Sequence, residues 1–172
     1  MKMKDIEGNV WKFGDDISTD LIISGKYKFK TLDMGKLSKH AMEGADPDFS
    51  EKANEGDVIV AGENFGCGSS REQAPLVLKE LGIGAIISKF FARIFFRNAI
   101  NVGIPVIESE EIPEKTSEGD NLKVDLEAGK VENLTTGETF DVKPLPDFLV
   151  QLLEDGGLVE QYKKKGKFQW EE

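Results

Sequence analysis

Three short apolar runs, Asp57–Ala61, Gly84–Phe90 and Pro105–Glu108, are separated by two segments of helical periodicity, and that alternation leaves the chain few folds to adopt. The runs carry β-branched pairs such as Val58-Ile59 and Ile86-Ile87 and are bounded by glycine or proline, as short buried strands are. Between them, Ala74, Leu76, Val77, Leu78 and Leu81 recur at helical spacing until Gly82 stops the pattern. Ile94, Phe95, Ala99 and Ile100 do the same within 92–102. Strand, helix, strand, helix, strand at these lengths predicts an α/β fold with parallel pairing and right-handed crossovers. Loops at the carboxyl ends of such strands are where ligands of open sheets bind.

The flanking regions read more simply. Val10–Gly14 alternates as a half-buried strand and Gly14-Asp15-Asp16 turns it. Ser24–Asp33 reads as a loop of alternating cations and aromatics, Met34–Met42 as a short helix, and Glu43–Glu55 as a charged surface connection. Beyond Glu110 the runs around Leu122, Val131 and Phe140, with tight turns between them, predict an antiparallel meander. Pro146–Leu153 predicts a helix ended by Gly156-Gly157, and Leu158–Lys165 a further helical turn or two. At 172 residues the whole chain, 1–172, suits one domain with a core that needs no disulfide or structural metal.

Charge removes several functions. With 22 Lys and Arg against 32 Asp and Glu, the net charge of −10 repels phosphate backbones, so no nucleic-acid partner is expected. No stretch approaches the roughly 20 apolar residues of a membrane span, and Met1–Glu7 lacks an apolar signal core. A cytoplasmic protein without a membrane partner is expected. The chain has one cysteine, Cys67, and one histidine, His40. One thiol makes no internal disulfide and cannot hold an iron–sulfur cluster, which takes about three or four. Any such cofactor belongs to another chain.

The densest chemistry lies in Asn64–Glu72, between the first predicted strand and its helix. Gly66 and Gly68 let the backbone approach a ligand, and the loop ends where a helix presents unpaired amides, the outline of an anion site. Ser69 and Glu72 equally fit the S-x-x-E capping box. Upstream, Thr19 and Asp20 precede an apolar run; they read either as a turn or cap, or as a carboxylate that orients a catalytic group.

The runs Asp16–Ile22, Asn64–Pro75 and Phe91–Pro105, taken in order, resemble the small subunits of 3-isopropylmalate dehydratase in the aconitase superfamily. The likeness extends from about Val10 through Leu158. It implies an aconitase-type swivelling domain with a partly parallel sheet, flanking helices and a C-terminal meander. It also implies docking on a large subunit that carries a 4Fe-4S cluster, and isomerisation of a 2-hydroxy acid by loss and re-addition of water. Carried over, Ser69 matches the base that takes a carbon-bound proton, with Asp20 the acidic residue near it and Thr19 beside that. Ser70 and Arg71 match substrate-carboxylate contacts, in a loop opened by Gly66 and Gly68. Arg93 and Arg97 brace the site, bind the large subunit or form structural salt bridges.

One departure concerns the substrate loop, where members often carry a tyrosine–leucine–arginine–threonine motif. This chain has Tyr27-Lys28-Phe29-Lys30-Thr31, which offers Lys28 and Lys30 as point charges and Phe29 as an apolar lining, without the planar fork of arginine. Isopropylmalate is the expected substrate; homoaconitate and a 2,3-dimethylmalate-type acid are the alternatives. Two further readings stand beside these: a Cys67–His40 hydrolase, and a small-acid binding or regulatory domain using the same loop without chemistry. Self-association of the isolated chain is compatible with each.

Overall fold

The computed structural model describes residues 2–3, 5–28, 30–167 and 170–171, the side chain of Lys28 excepted. It begins with strand β1 (Ile6–Lys12), the helical turns α1 (Thr19–Ile22), α2 (Gly25–Lys28) and α3 (Met34–Leu37), a 3-10 turn at Ser38–His40, and α4 (Phe49–Lys52). The predicted alternation follows as β2 (Val58–Val60), α5 (Gln73–Glu80), β3 (Ala85–Ser88), α6 (Arg93–Val102) and β4 (Val106–Glu108). After α7 (Glu111–Lys115) come β5 (Asn121–Asp125), β6 (Lys130–Asn133) and β7 (Thr139–Asp141), then α8 (Asp147–Glu154) and α9 (Leu158–Lys165).

The described strands form one sheet in the order β4-β3-β2-β1-β5-β6-β7. From β4 to β1 all pairings are parallel; from β1 to β7 all are antiparallel. Every residue of β2 and β3 is buried, which is why these strands are continuous apolar runs and not alternating ones. In β5 and β6, by contrast, Leu122, Val124 and Val131 point inward between exposed polar neighbours. The crossover helices bury the faces their spacing predicts: Ala74, Val77 and Leu78 from α5, and Phe95, Ala99 and Ile100 from α6. Among the described residues no helix is long and apolar enough to cross a membrane.

Three local expectations are corrected. Strand β1 starts four residues before the predicted Val10, because Ile6–Asn9 pairs antiparallel with β5 while Val10–Lys12 pairs parallel with β2. The partner that recruits Glu7, Gly8 and Asn9 is more than a hundred residues away, and local alternation does not reveal it. Within Ser24–Asp33 the chain makes the helical turn α2 where a loop was expected. The Glu43–Glu55 connection is not wholly at the surface: Phe49 is fully buried, with Trp11 edge-on to it at 5.0 Å and Phe13 at 5.8 Å.

Asp57, buried at the start of β2, ties these parts together. Its Oδ1 accepts the Asn9 N–H at 3.1 Å, and its Oδ2 accepts the Trp11 Nε1–H at 2.9 Å and the Asn54 N–H at 2.8 Å. Removing that acceptor leaves three part-buried donors without their partner. Asp57→Ala is expected to lower unfolding stability by about 3 kcal/mol in urea titration. An unchanged midpoint would show that the carboxylate does not organise this corner.

Candidate active site

Three segments meet beyond the carboxyl ends of adjacent parallel strands: 13–19 after β1, 61–71 after β2 and 89–92 after β3. The sheet ladder continues through them as single main-chain bonds. Phe13 N–H donates to Val60 O at 2.9 Å, Ala61 N–H to Ile87 O at 2.8 Å, and Lys89 N–H to Gly62 O at 3.0 Å. Further out, Gly66 N–H donates to Ile17 O at 2.7 Å and Thr19 N–H to Cys67 O at 2.8 Å, while Phe65 exchanges bonds with Phe90 and Ala92. The glycine loop is therefore a middle strand, held on both sides.

Gly66 has φ +82°, and a Cβ there would lie 2.1 Å from Phe95 Cγ. Glycine is required twice over, by backbone conformation and by the close packing of the Phe65, Phe91 and Phe95 rings beneath it. Asp16 and Asn64 are also left-handed, at φ 54° and 60°, and Asn64 Nδ2 donates to Asp16 Oδ1 at 3.0 Å. This clamp is a feature that motif reading misses, although Asn and Asp are the residue types that tolerate such backbone.

The Ser69–Glu72 capping box does not form. Helix α5 starts at Gln73, Glu72 occupies its N-cap position in right-handed conformation, and no side chain caps it. Ser69 lies earlier and turns instead toward α1. The Thr19 hydroxyl is 2.9 Å from the Ser69 carbonyl and 3.3 Å from Ser69 Oγ. A hydroxyl carries one proton; when Thr19 gives it to the carbonyl, its oxygen is left to accept from Ser69 Oγ–H. Thr19 is only 2% exposed, whereas Gly68, Ser69 and Ser70 face solvent.

Asp20 pairs with Arg71 and not with Ser69. Arg71 Nη1 donates to Asp20 Oδ1 at 2.7 Å and to Ile23 O at 3.0 Å, and the Gly25 N–H adds a 3.3 Å bond to the same carboxylate. The Arg71 guanidinium, through this hydrogen bond first and its charge besides, holds the Asp20 carboxyl below its ordinary value of 3.8. Both protons of Nη1 are thereby used, which leaves Nη2 and Nε to meet a carboxylate.

The substrate-loop residues are only partly placed. Phe29 and the Lys28 side chain lie outside the described residues. Lys30 lines a cavity of about 390 Å³ with Tyr27, Thr31, Lys36, Leu37 and His40. His40 stacks on Tyr27 at 3.8 Å between centroids and faces Glu43 at 3.4 Å, so its ring belongs to this cavity wall. Nothing in its partners makes it a base for Cys67, whose backbone bridges Ser18. Lys36 and the Tyr27–His40 stack escape sequence reading because α3 and the 3-10 turn bring them in from beyond the motif. Arg93 and Arg97 are exposed on α6, and neither forms a salt bridge among the described residues.

Comparison with known proteins shows the family of the chain. Residues 20–112 match the aconitase C-terminal domain. The chain is 55% identical over 161 residues to the 3-isopropylmalate dehydratase small subunit 1 of Methanopyrus kandleri, covering 94% of each chain. It is 51% identical to the homoaconitase small subunit of Methanothermobacter thermautotrophicus, covering 92% of this chain and 91% of that one. The crystal structure of 3-isopropylmalate dehydratase from Methanocaldococcus jannaschii superposes with a TM-score of 0.87 at 45% identity, covering 94% of this chain and 95% of that one.

A depressed carboxyl pKa stabilises the fold only where the group is ionised. The contribution of the Asp20–Arg71 pair is complete above the ordinary carboxylate range and is lost as pH falls through the folded-state value. Carbon-detected NMR titration is expected to place Asp20 below 3.8 in the native chain and to return it toward 3.8 in Arg71→Ala. Equal values in the two chains would remove the pair.

Proposed function

Since the chain belongs to the aconitase C-terminal domain family, among the small subunits of 3-isopropylmalate dehydratase, we propose that it supplies the proton-accepting half of a cytoplasmic hydro-lyase interconverting 2- and 3-isopropylmalate. The observation that carries this reading is the Thr19–Ser69 contact at the solvent-facing tip of the glycine loop. The chain, as one swivelling domain, closes its loop over substrate held against the large subunit.

The donor set of this chain does not fit an iron–sulfur cluster, since Cys67 is its one thiol. The cluster is assigned to the large subunit, where it supplies the Lewis acidity that draws the substrate hydroxyl away. What this chain contributes is proton transfer and grip. Ser69 Oγ takes the proton from the carbon neighbouring the one that loses hydroxide, and returns a proton when water adds back in the opposite sense. In the resting state Ser69 Oγ–H donates to Thr19. Ser69 gives its own proton to solvent, which its exposed position allows; the Thr19 hydroxyl then rotates from the Ser69 carbonyl to donate to the alkoxide 3.3 Å away, and the alkoxide takes the substrate's carbon-bound proton, which restores Oγ–H. Helix α5 begins beyond the loop, so this hydroxyl, and not a helix-start amide, is the donor already in place.

Arg71, braced by Asp20, offers its two remaining edges to a substrate carboxylate, with Ser70 beside it. The cavity bearing Lys30 and Lys36 receives the substituent that distinguishes one acid from another. Its two ammonium groups favour a second reading for the substrate, homoaconitate, whose additional carboxylate they would pair; Leu37 and the ring of Tyr27 suit the isopropyl group.

Ser69→Ala in the reconstituted heteromer is expected to lower kcat by about a hundredfold or more, with KM changed by less than about threefold. Turnover close to that of the native complex would take the base away from Ser69.

A further inference from the structure

Helix α6 turns Phe95, Ala99, Ile100 and Val102 into the core and leaves Arg93, Ile94 and Arg97 outside. Ile94 is 53% exposed, and Phe90, just before the helix, is 43% exposed. Arg93 stands in the first turn with no acidic residue there and no side-chain cap at Ala92, a placement the helix dipole disfavours. The chain has ten more acidic than basic side chains, yet both arginines lack an ion-pair partner among the described residues. With Phe91, Phe96 and Glu108 they line a cleft of about 250 Å³. Glu108 makes no ion pair with either guanidinium among the described residues; its carboxylate accepts the Phe91 N–H at 3.3 Å.

The N-terminal end of this surface adjoins the catalytic loop: Phe65 N–H donates to Phe90 O at 3.2 Å, and Ala92 N–H donates to Phe65 O at 3.0 Å. On the function proposed above, Ser69 works only while its loop faces the large subunit, so the rim beside that loop is covered whenever the enzyme turns over. We infer that Phe90, Arg93, Ile94 and Arg97 form a docking surface for the large subunit, taking a segment of that subunit that pairs an apolar side chain with at least one carboxylate. The carboxylate enters the cleft between Arg93 and Arg97, where two planar forks meet it over an aromatic floor. The apolar side chain covers Ile94 and Phe90.

The experiment is an anaerobic titration of the purified iron–sulfur large subunit with the small subunit, reading Kd by light scattering and kcat at saturation. The variants are Ile94→Asp and the double variant Arg93→Glu with Arg97→Glu, all at exposed positions, and each is checked for an unchanged Tm. Each is expected to weaken Kd by about tenfold or more while kcat at saturation stays within about twofold of the native complex. Val159→Asp, at an exposed site on α9 (64%), is expected to bind like the native chain. Unchanged Kd in both variants, with native assembly and turnover intact, would overturn the docking surface and leave the proposed function standing. A loss of kcat at saturation with unchanged Kd would also overturn it, since the arginines would then belong to the reaction. A native chain that neither binds the large subunit nor supports turnover would overturn the function and the surface together.

Discussion

The site depends on four main-chain hydrogen bonds that hold the glycine loop between its neighbours. Gly66 and Cys67 bond to the segment entering α1, and Phe65 bonds on its other side to Phe90 and Ala92. These bonds extend the parallel sheet past the last residues of β1, β2 and β3 without forming regular strands. Their effect is to place Ser69 against Thr19 and Arg71 against Asp20, two contacts between residues about fifty positions apart. A side chain at residue 66 would strike Phe95 and break the ladder at its centre. The geometry of the candidate site rests on backbone pairing, which is stiffer than the rotamers of a free loop.

The sequence made the architecture legible where one physical pattern dominated. Fully buried strands write themselves as apolar runs, and the two crossover helices each carry one apolar face, so β2 through β4 and their helices were visible without a structure. The meander showed through its alternation and its glycine turns. What was illegible had distant partners. The first half of β1 is a strand because β5 lies beside it, and Phe49 is buried because Trp11 and Phe13 close over it. At the site, the serine, the arginine and the acid could be named from motifs. Their pairing could not, because Ser69 and Glu72 satisfy a local capping rule that the fold overrides by ending the loop three residues later. Asp16 with Asn64, and Tyr27 with His40, likewise acquire roles only when the chain brings them together.

Charge is distributed to the same end. Arg71 lies within the loop, Arg93 and Arg97 line a cleft with Phe91 and Phe96, and Lys30 and Lys36 line the Tyr27 cavity, where Lys26 also lies 4.9 Å from the Tyr27 ring. Elsewhere Lys79 helps close the fold, donating to the carbonyls of Val102 and Gly156. Burial there lowers the Lys79 pKa, as expected of a charge drawn inside for structure.

The most direct measurement is anaerobic co-expression of this chain with its large subunit, followed by a hydration assay across unsaturated diacids and triacids. The account predicts turnover of the branched isopropyl acid, or of the homoaconitate series if Lys30 and Lys36 decide the choice. A stable complex with an intact cluster and no turnover on any of these acids would contradict it.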